Sequence, residues 1–216
     1  MAKRKRVVLK KKSRGRKEKL SGLDKFFYGN FKLALKSLGQ IKSYVLFSFV
    51  LFFVFSILGY IFPQPFEKQV LDLIKQLLEQ TKGLNGFELI FFIISNNIKS
   101  AFFGLLFGVL FAIIPLGILI VNGYVLGFVA NKAVKLESIF VLWKLLPHGI
   151  FEIPAIMISI GVGIRLGLFL FLYHGNNKRK EFWKWFKNAL RIFIFIVVPL
   201  LVIAGIIEGI LIWSMG

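Results

Sequence analysis

The chain has 216 residues, 57% of them hydrophobic and 18% charged, with 26 Phe, no Cys and a net charge of +19. A soluble domain is roughly 45–50% apolar and about 25% charged, so this composition, with a mean hydropathy of +0.76, points away from a soluble enzyme, a nucleic-acid-binding domain or a disordered chain. The absence of cysteine excludes disulfides, thiolate metal sites and cysteine nucleophiles.

Residues 1–42 carry fifteen Lys/Arg against Glu18 and Asp24, a net charge of +13. The segment 1–19 reads as a disordered basic cytoplasmic tail that helps fix topology and can contact anionic lipid; nucleic acid is not an expected partner. The first apolar stretch begins near residue 43, too late for a cleavable signal peptide. Residues 20–42 read as an amphipathic interfacial helix, with Phe27, Phe31, Leu35 and Leu38 near helical spacing and Lys25, Lys32 and Lys36 elsewhere.

The membrane domain is expected over 43–216. A first span at about 43–62 ends at Pro63 and Pro65. Residues 66–82 form an outer amphipathic helix whose stripe is Phe66, Val70, Leu73, Ile74, Leu77 and Leu78. The next 36 residues, 87–122, are mostly apolar, roughly 54 Å of helix and too long for one crossing. Asn96, Asn97 and Lys99 interrupt them, so 87–96 is expected as an interfacial or re-entrant helix and 99–121 as span two. The segment 122–146 holds Asn131, Lys132, Lys135 and Glu137. A lipid-facing charge at mid-span costs roughly 2.5–3.5 kcal/mol, so this third crossing is expected to break near 131–138. Spans four and five follow at about 147–173 and 188–213. A six-crossing version, with 87–98 spanning and 122–146 re-entrant, is the alternative.

The charge of 174–191 is +5 and that of 63–88 is −1. Basic flanks stay inside, which places the N-terminus and 174–191 in the cytoplasm of a cell-membrane protein, and 63–88 and the C-terminus outside. Trp183, Trp185 and Trp213 read as interfacial anchors. The expected fold class is all-α: a polytopic membrane helical bundle of about five spans, with broken or re-entrant helices and amphipathic interfacial helices. Ala155, Ser159, Gly163 and Gly167 recur every four residues, the small-residue pattern of close helix packing in lipid. Gly104/Gly108, Gly123/Gly127 and Gly205/Gly209 repeat the spacing. Packing within the chain is the first reading of that face, and a homodimer seam the second.

Ionisable groups inside spans ask for a partner or a job. His148 and Glu152, at i and i+4, share a helix face, and Pro154 frees the Ile150 carbonyl beside them. Glu152 and Glu208 fall at similar depth, roughly 7–8 Å from their expected helix ends. Asn96, Asn97, His148, Glu152 and Glu208 are therefore expected to form one polar cluster near the outer leaflet. A hydrogen-bonded brace is the plainest role; a substrate or ion contact, or a metal site on His148, Glu152 and Glu208, are the sharper ones. No other cofactor is expected. Arg165 lies about 27 Å from Pro147, on the inner side with Asn122, where it could bond helix-end carbonyls or a lipid phosphate.

The order NN (96–97), PLGILIVNGYVLG (115–127), LLPHGIFEIPAIMISIGVGIRLG (145–167) and AGIIEG (204–209) resembles the stage II sporulation protein M family over about 43–213. The resemblance implies a polytopic membrane protein. It places Asn97, Asn122, His148, Gly149, Glu152, Pro154, Arg165 and Glu208 at family-type positions. The family's sporulating member serves as membrane partner of a peptidoglycan hydrolase and an amidase in engulfment. No catalytic motif is evident. The expected function is a non-enzymatic membrane scaffold that positions envelope-modifying proteins. A transporter-like protein for a lipid-linked or small polar substrate, and an intramembrane metal-dependent hydrolase, are the alternatives. Expected partners are the bilayer, anionic lipid at the basic N-terminus and other membrane or envelope proteins.

Overall fold

Helices begin and end where backbone chemistry requires it. The computed structural model describes residues 22–111 and 113–215, the side chains of 109–111, 143–148, 170 and 213–215 excepted. The expected basic tail 1–19 and the Trp213 ring lie outside the described residues. Helix α1 (Gly22–Gln40) buries Ala34 and Ser37 and exposes Lys25, Lys32 and Lys36 on the opposite side. The buried Ile41 joins it to α2 (Lys42–Ile61). Pro63 and Pro65 lack the N–H that would continue α2, and a 3-10 turn (Gln64–Phe66) leads into α3 (Glu67–Thr81). Gly83, at φ +80°, adopts the left-handed turn that suits a residue without Cβ.

Helix α4 (Gly86–Phe111) opens with a reciprocal cap: Glu88 N–H donates to Asn85 Oδ1 at 3.0 Å, and Asn85 N–H to Glu88 Oε2 at 2.9 Å. Helix α5 (Ile113–Leu136) carries Pro115 in its first turn, where the missing N–H costs little. A 3-10 segment (Ile139–Leu145) precedes α6 (Leu146–Leu172), which contains Pro154. Helix α7 (Lys178–Ile192) runs through a π turn (Phe193–Val197) into α8 (Val198–Met215).

The fold is an all-α polytopic bundle. Among the described residues, five segments are long and apolar enough to cross a bilayer: Lys42–Ile61, Gly86–Gly108, Ile113–Leu136, Gly149–Phe169 and Lys178–Ile212. Two expected spans are displaced. In place of a re-entrant 87–96 followed by spans 99–121 and 122–146, the chain has one unbroken helix to Phe111 and a second that starts at Ile113. Asn96, Asn97 and Lys99 do not interrupt α4, because polar side chains leave the helical backbone bonds intact. The break falls beside Pro115, which has no N–H to give to the carbonyl of Phe111. The helix is likewise unbroken at 131–136. Starting nine residues earlier, α5 brings Asn131, Lys132 and Lys135 to its end, where charge is cheap.

Helix α6 is central: 56% of its spanning segment is buried, against 17% of α2. It packs along α4 and α8, and α4 also packs along α8. Helices α2 and α5 form a separate close pair, joined to the rest chiefly through α2 against α6. Glycines make these contacts close. A Cβ on Gly163 would lie 2.6 Å from the Gly104 carbonyl oxygen, and one on Gly123 2.6 Å from that of Phe52. Gly127 abuts Ser56, and Gly209 abuts Ile90. Ala155, Ser159, Gly163 and Gly167 are all buried; Gly163 meets Gly104 and Leu105 of α4, and the Ser159 hydroxyl donates to the Ala101 carbonyl at 2.6 Å. These four residues are buried within the chain, as the first reading of that face expected.

Candidate functional site

Because α5 follows α2 and barely touches α6, a gap remains between α5 on one side and α6 and α8 on the other. Glu152 and Gly149 of α6, Glu208 of α8 and Asn122 of α5 line this gap, a cavity of about 330 Å³ also lined by Phe52, Val125 and Met157 among others. Gly149 contributes to the space: a Cβ there would meet only Ile153, at 3.5 Å. Glu152 stands six residues into α6 and Glu208 seven residues before the end of α8, roughly 9–11 Å from those ends. Both carboxylates are half-buried and lie toward the end of the bundle opposite α7. The Asn122 amide donates to the Ile118 carbonyl at 2.7 Å, so its own carbonyl oxygen remains available to a second group.

The structure thus brings Glu152 and Glu208 to one cavity and adds Asn122, which the sequence reading had placed on the inner side with Arg165. The earlier start of α5 moves Asn122 roughly 14 Å into the span. Asn96 and Asn97 do not line the cavity. Asn96 is exposed on the outer face of α4, and Asn97, one turn before Ala101, is half-buried on the face toward α6. His148 occupies the first turn of α6, one turn before Glu152; its side chain lies outside the described residues. Among the described residues no three His, Cys, Asp or Glu side chains converge as a metal-ligand set.

Arg165 has a different environment. Its guanidinium sits 4.5 Å from the Trp185 ring centroid, 5.5 Å from that of Phe169 and 5.9 Å from that of Tyr44. Ring faces are electron-rich and attract the cation. These rings, not helix-end carbonyls, hold the group, and they tie α6 to α7 and α2. Phe169, at i+4 from Arg165, was the one sign of this in the sequence.

Several polar residues that sequence reasoning left unassigned close the end of α2. Asn131 donates to the Tyr60 carbonyl at 2.8 Å and the Tyr124 hydroxyl to the Phe62 carbonyl at 2.5 Å, satisfying groups that a helix end leaves free. Lys132 pairs with Glu67 of α3. The edge of the Phe66 ring meets Tyr124 at 5.3 Å, so α3 is anchored over the α2–α5 pair.

A family profile for stage II sporulation protein M matches residues 48–211, which takes in every cavity residue named above. The chain is also 30% identical over 158 residues to an uncharacterized protein of Methanocaldococcus jannaschii, a match covering 72% of this chain and 68% of that one. No solved structure matches it. With the profile covering most of the chain, and the Glu152 and Glu208 segments inside it, this multi-pass membrane protein belongs to the stage II sporulation protein M family.

Proposed function

We propose that the chain is a membrane carrier that holds a small cation, or a small solute bearing one, between Glu152 and Glu208. The observation that carries this reading is the convergence of two carboxylates from different spans and an amide from a third on one cavity. Carboxylates within a bilayer are tolerated when they face water, a cation or each other across a proton, and they mark ion and substrate paths. The volume of about 330 Å³ sits at the lower end of the roughly 300–1,000 Å³ of small-molecule sites. The rest of the lining is apolar, a surface along which the α2–α5 pair could rock against α4, α6 and α8. Such rocking would expose the carboxylates to each side in turn.

The test is uptake by liposomes containing the full chain, with sodium, potassium and putrescine as probes under an imposed potential. Saturable uptake of at least one is expected, abolished by Glu152→Gln and by Glu208→Gln while both variants stay monodisperse. Absence of uptake of all three probes, or equal uptake by the variants, would sink the reading.

We place the N-terminus, α1 and α7 on the cytoplasmic side of the cell membrane, and α3 and the C-terminus outside. The support is the charge asymmetry of +13 in 1–42 and +5 in 174–191 against −1 in 63–88. The basic stripe of α1 and the lysines of α7 suit an anionic inner leaflet. With no native cysteine, single cysteines at Glu79 and Lys180 test this: an impermeant thiol reagent should label position 79 in sealed cells and spare 180.

The scaffold reading keeps one specific support. Val70 is buried, but Leu71, Leu73, Leu77 and Leu78 of α3 stay exposed, with Leu78 at 64%. This apolar stripe is the place where an envelope protein would sit. A photo-cross-linker at Leu77 that captures only lipid in native membranes would argue against it.

A further inference from the structure

The lysine in the middle of α4 faces away from the rest of the chain. Lys99 is thirteen residues from Gly86 and twelve from Phe111, roughly 18–20 Å from either end of the helix. That distance is more than a lysine stem can bridge by reaching for the interface. On one side of α4, Ala101, Leu105 and Gly108 meet α6, and Phe102 stacks edge-on against Phe193 at 5.5 Å. Helical geometry puts Lys99 on the opposite side, with Asn96, Phe103 and Leu106, all of them exposed. Two lysines elsewhere, neither in mid-span, have acidic partners: Lys132 pairs with Glu67, and Lys184 with Glu181. Among the described residues Lys99 has neither an ion pair nor a hydrogen bond.

A cation facing lipid at that depth is costly, and such residues ordinarily pair with an acid in the membrane. We propose that the outward face of α4, centred on Lys99 and Asn96, docks a spanning helix of another protein that carries an Asp or Glu at mid-bilayer depth. The Lys99 ammonium meets that carboxylate. Asn96, three residues away and so on the same face, supplies the amide that commonly bonds across helices in lipid. Phe103 and Leu106 provide the apolar contact beside them. Charge selects the occupant. A second copy seated on this face by two-fold symmetry would bring Lys99 against Lys99, and like charges repel most where the dielectric is low.

The test places p-benzoylphenylalanine at Phe103, with Ile203 on the exposed side of α8 as control, in the full chain in its native membrane. A protein adduct is expected at 103 and not at 203. Its cross-linked peptide should be a spanning segment with an Asp or Glu within two helical turns of the link. Lys99→Leu should lower the adduct yield at least about fivefold, the factor a polar interhelical contact supplies, and Lys99→Arg should restore it. The purified Lys99→Leu chain should melt in detergent no lower than the parent. Lipid adducts only, an adduct of twice the chain's mass, a peptide without an acid, a yield indifferent to Lys99→Leu, or a lowered melting temperature would each overturn the proposal.

Discussion

Glu152 and Arg165 stand thirteen residues apart on α6, and the bundle treats their charges in opposite ways. Glu152 shares a roomy cavity with a second carboxylate and an amide from a third helix. Arg165 is packed against three ring faces with almost no free space beside it. The reason lies in the neighbours. On the α7 side, α6 is flanked by α2 and α7, whose Tyr44 and Trp185 rings join Phe169 of α6 itself to fill the space. On the α3 side α5 diverges with α2 and leaves a gap. A charge held by fixed rings is committed to the fold, whereas a charge facing a cavity is left open to a ligand. On a single helix the comparison separates a cation packed into the fold from a carboxylate that faces a cavity.

The largest effect should come from breaking the helix contact that both ends need. Gly163→Leu would drive a side chain into the Gly104 carbonyl, 2.6 Å from where its Cβ would sit. Backbone does not yield as side chains do, so the cost should reach about 3 kcal/mol or more. Little folded chain should survive in size-exclusion of the detergent extract, and a normal monodisperse peak would show that α4 and α6 can separate.

Next comes the contrast itself. Arg165→Gln should lower stability by about 1–2 kcal/mol, through loss of its cation–ring contacts, and leave cation uptake per folded molecule unchanged. Glu152→Gln should do the reverse. A melting curve and an uptake assay on each pair of variants read both quantities. If Arg165→Gln kills uptake at unchanged stability, the division between the two ends fails. The smallest effect belongs to Lys132→Ala. Its ion pair with Glu67 joins side chains that are each 39% exposed, so its loss should cost about 0.5 kcal/mol. A drop several times larger would mean that anchoring α3 matters more to the bundle than solvent screening allows.

Parts of this design were legible in the residues. Pro63 and Pro65 marked the end of α2, and the glycine pairs at 104/108, 123/127 and 205/209 all fall at helix contacts. Glu152 and Glu208 could be matched in depth because both lie near helix ends. The boundary between α4 and α5 was misread, since the polar Asn96, Asn97 and Lys99 were given more weight than Pro115. That error carried Asn122 to the wrong level and made the charges at 131–137 seem to lie in mid-span. The Asn85–Glu88 cap, spaced as a capping box before an apolar run, was the signal that could have placed the start of α4.

By itself the sequence determined that this chain crosses a membrane several times as helices. Long apolar runs and the cost of an unpaired backbone in lipid allow little else. It also determined which ionisable groups would be out of place there, because depth along a helix follows from residue number alone. Rotation about the helix axis and the choice of neighbours were decided only by tertiary structure. Those two facts put Arg165 under aromatic rings, turned Lys99 outward, buried the small-residue face of α6 within the chain, and left Glu152, Glu208 and Asn122 around one cavity. Lipid offers no net preference between one apolar face and another, so close packing of glycines on backbone chose among them, and that fit exists only when the helices meet.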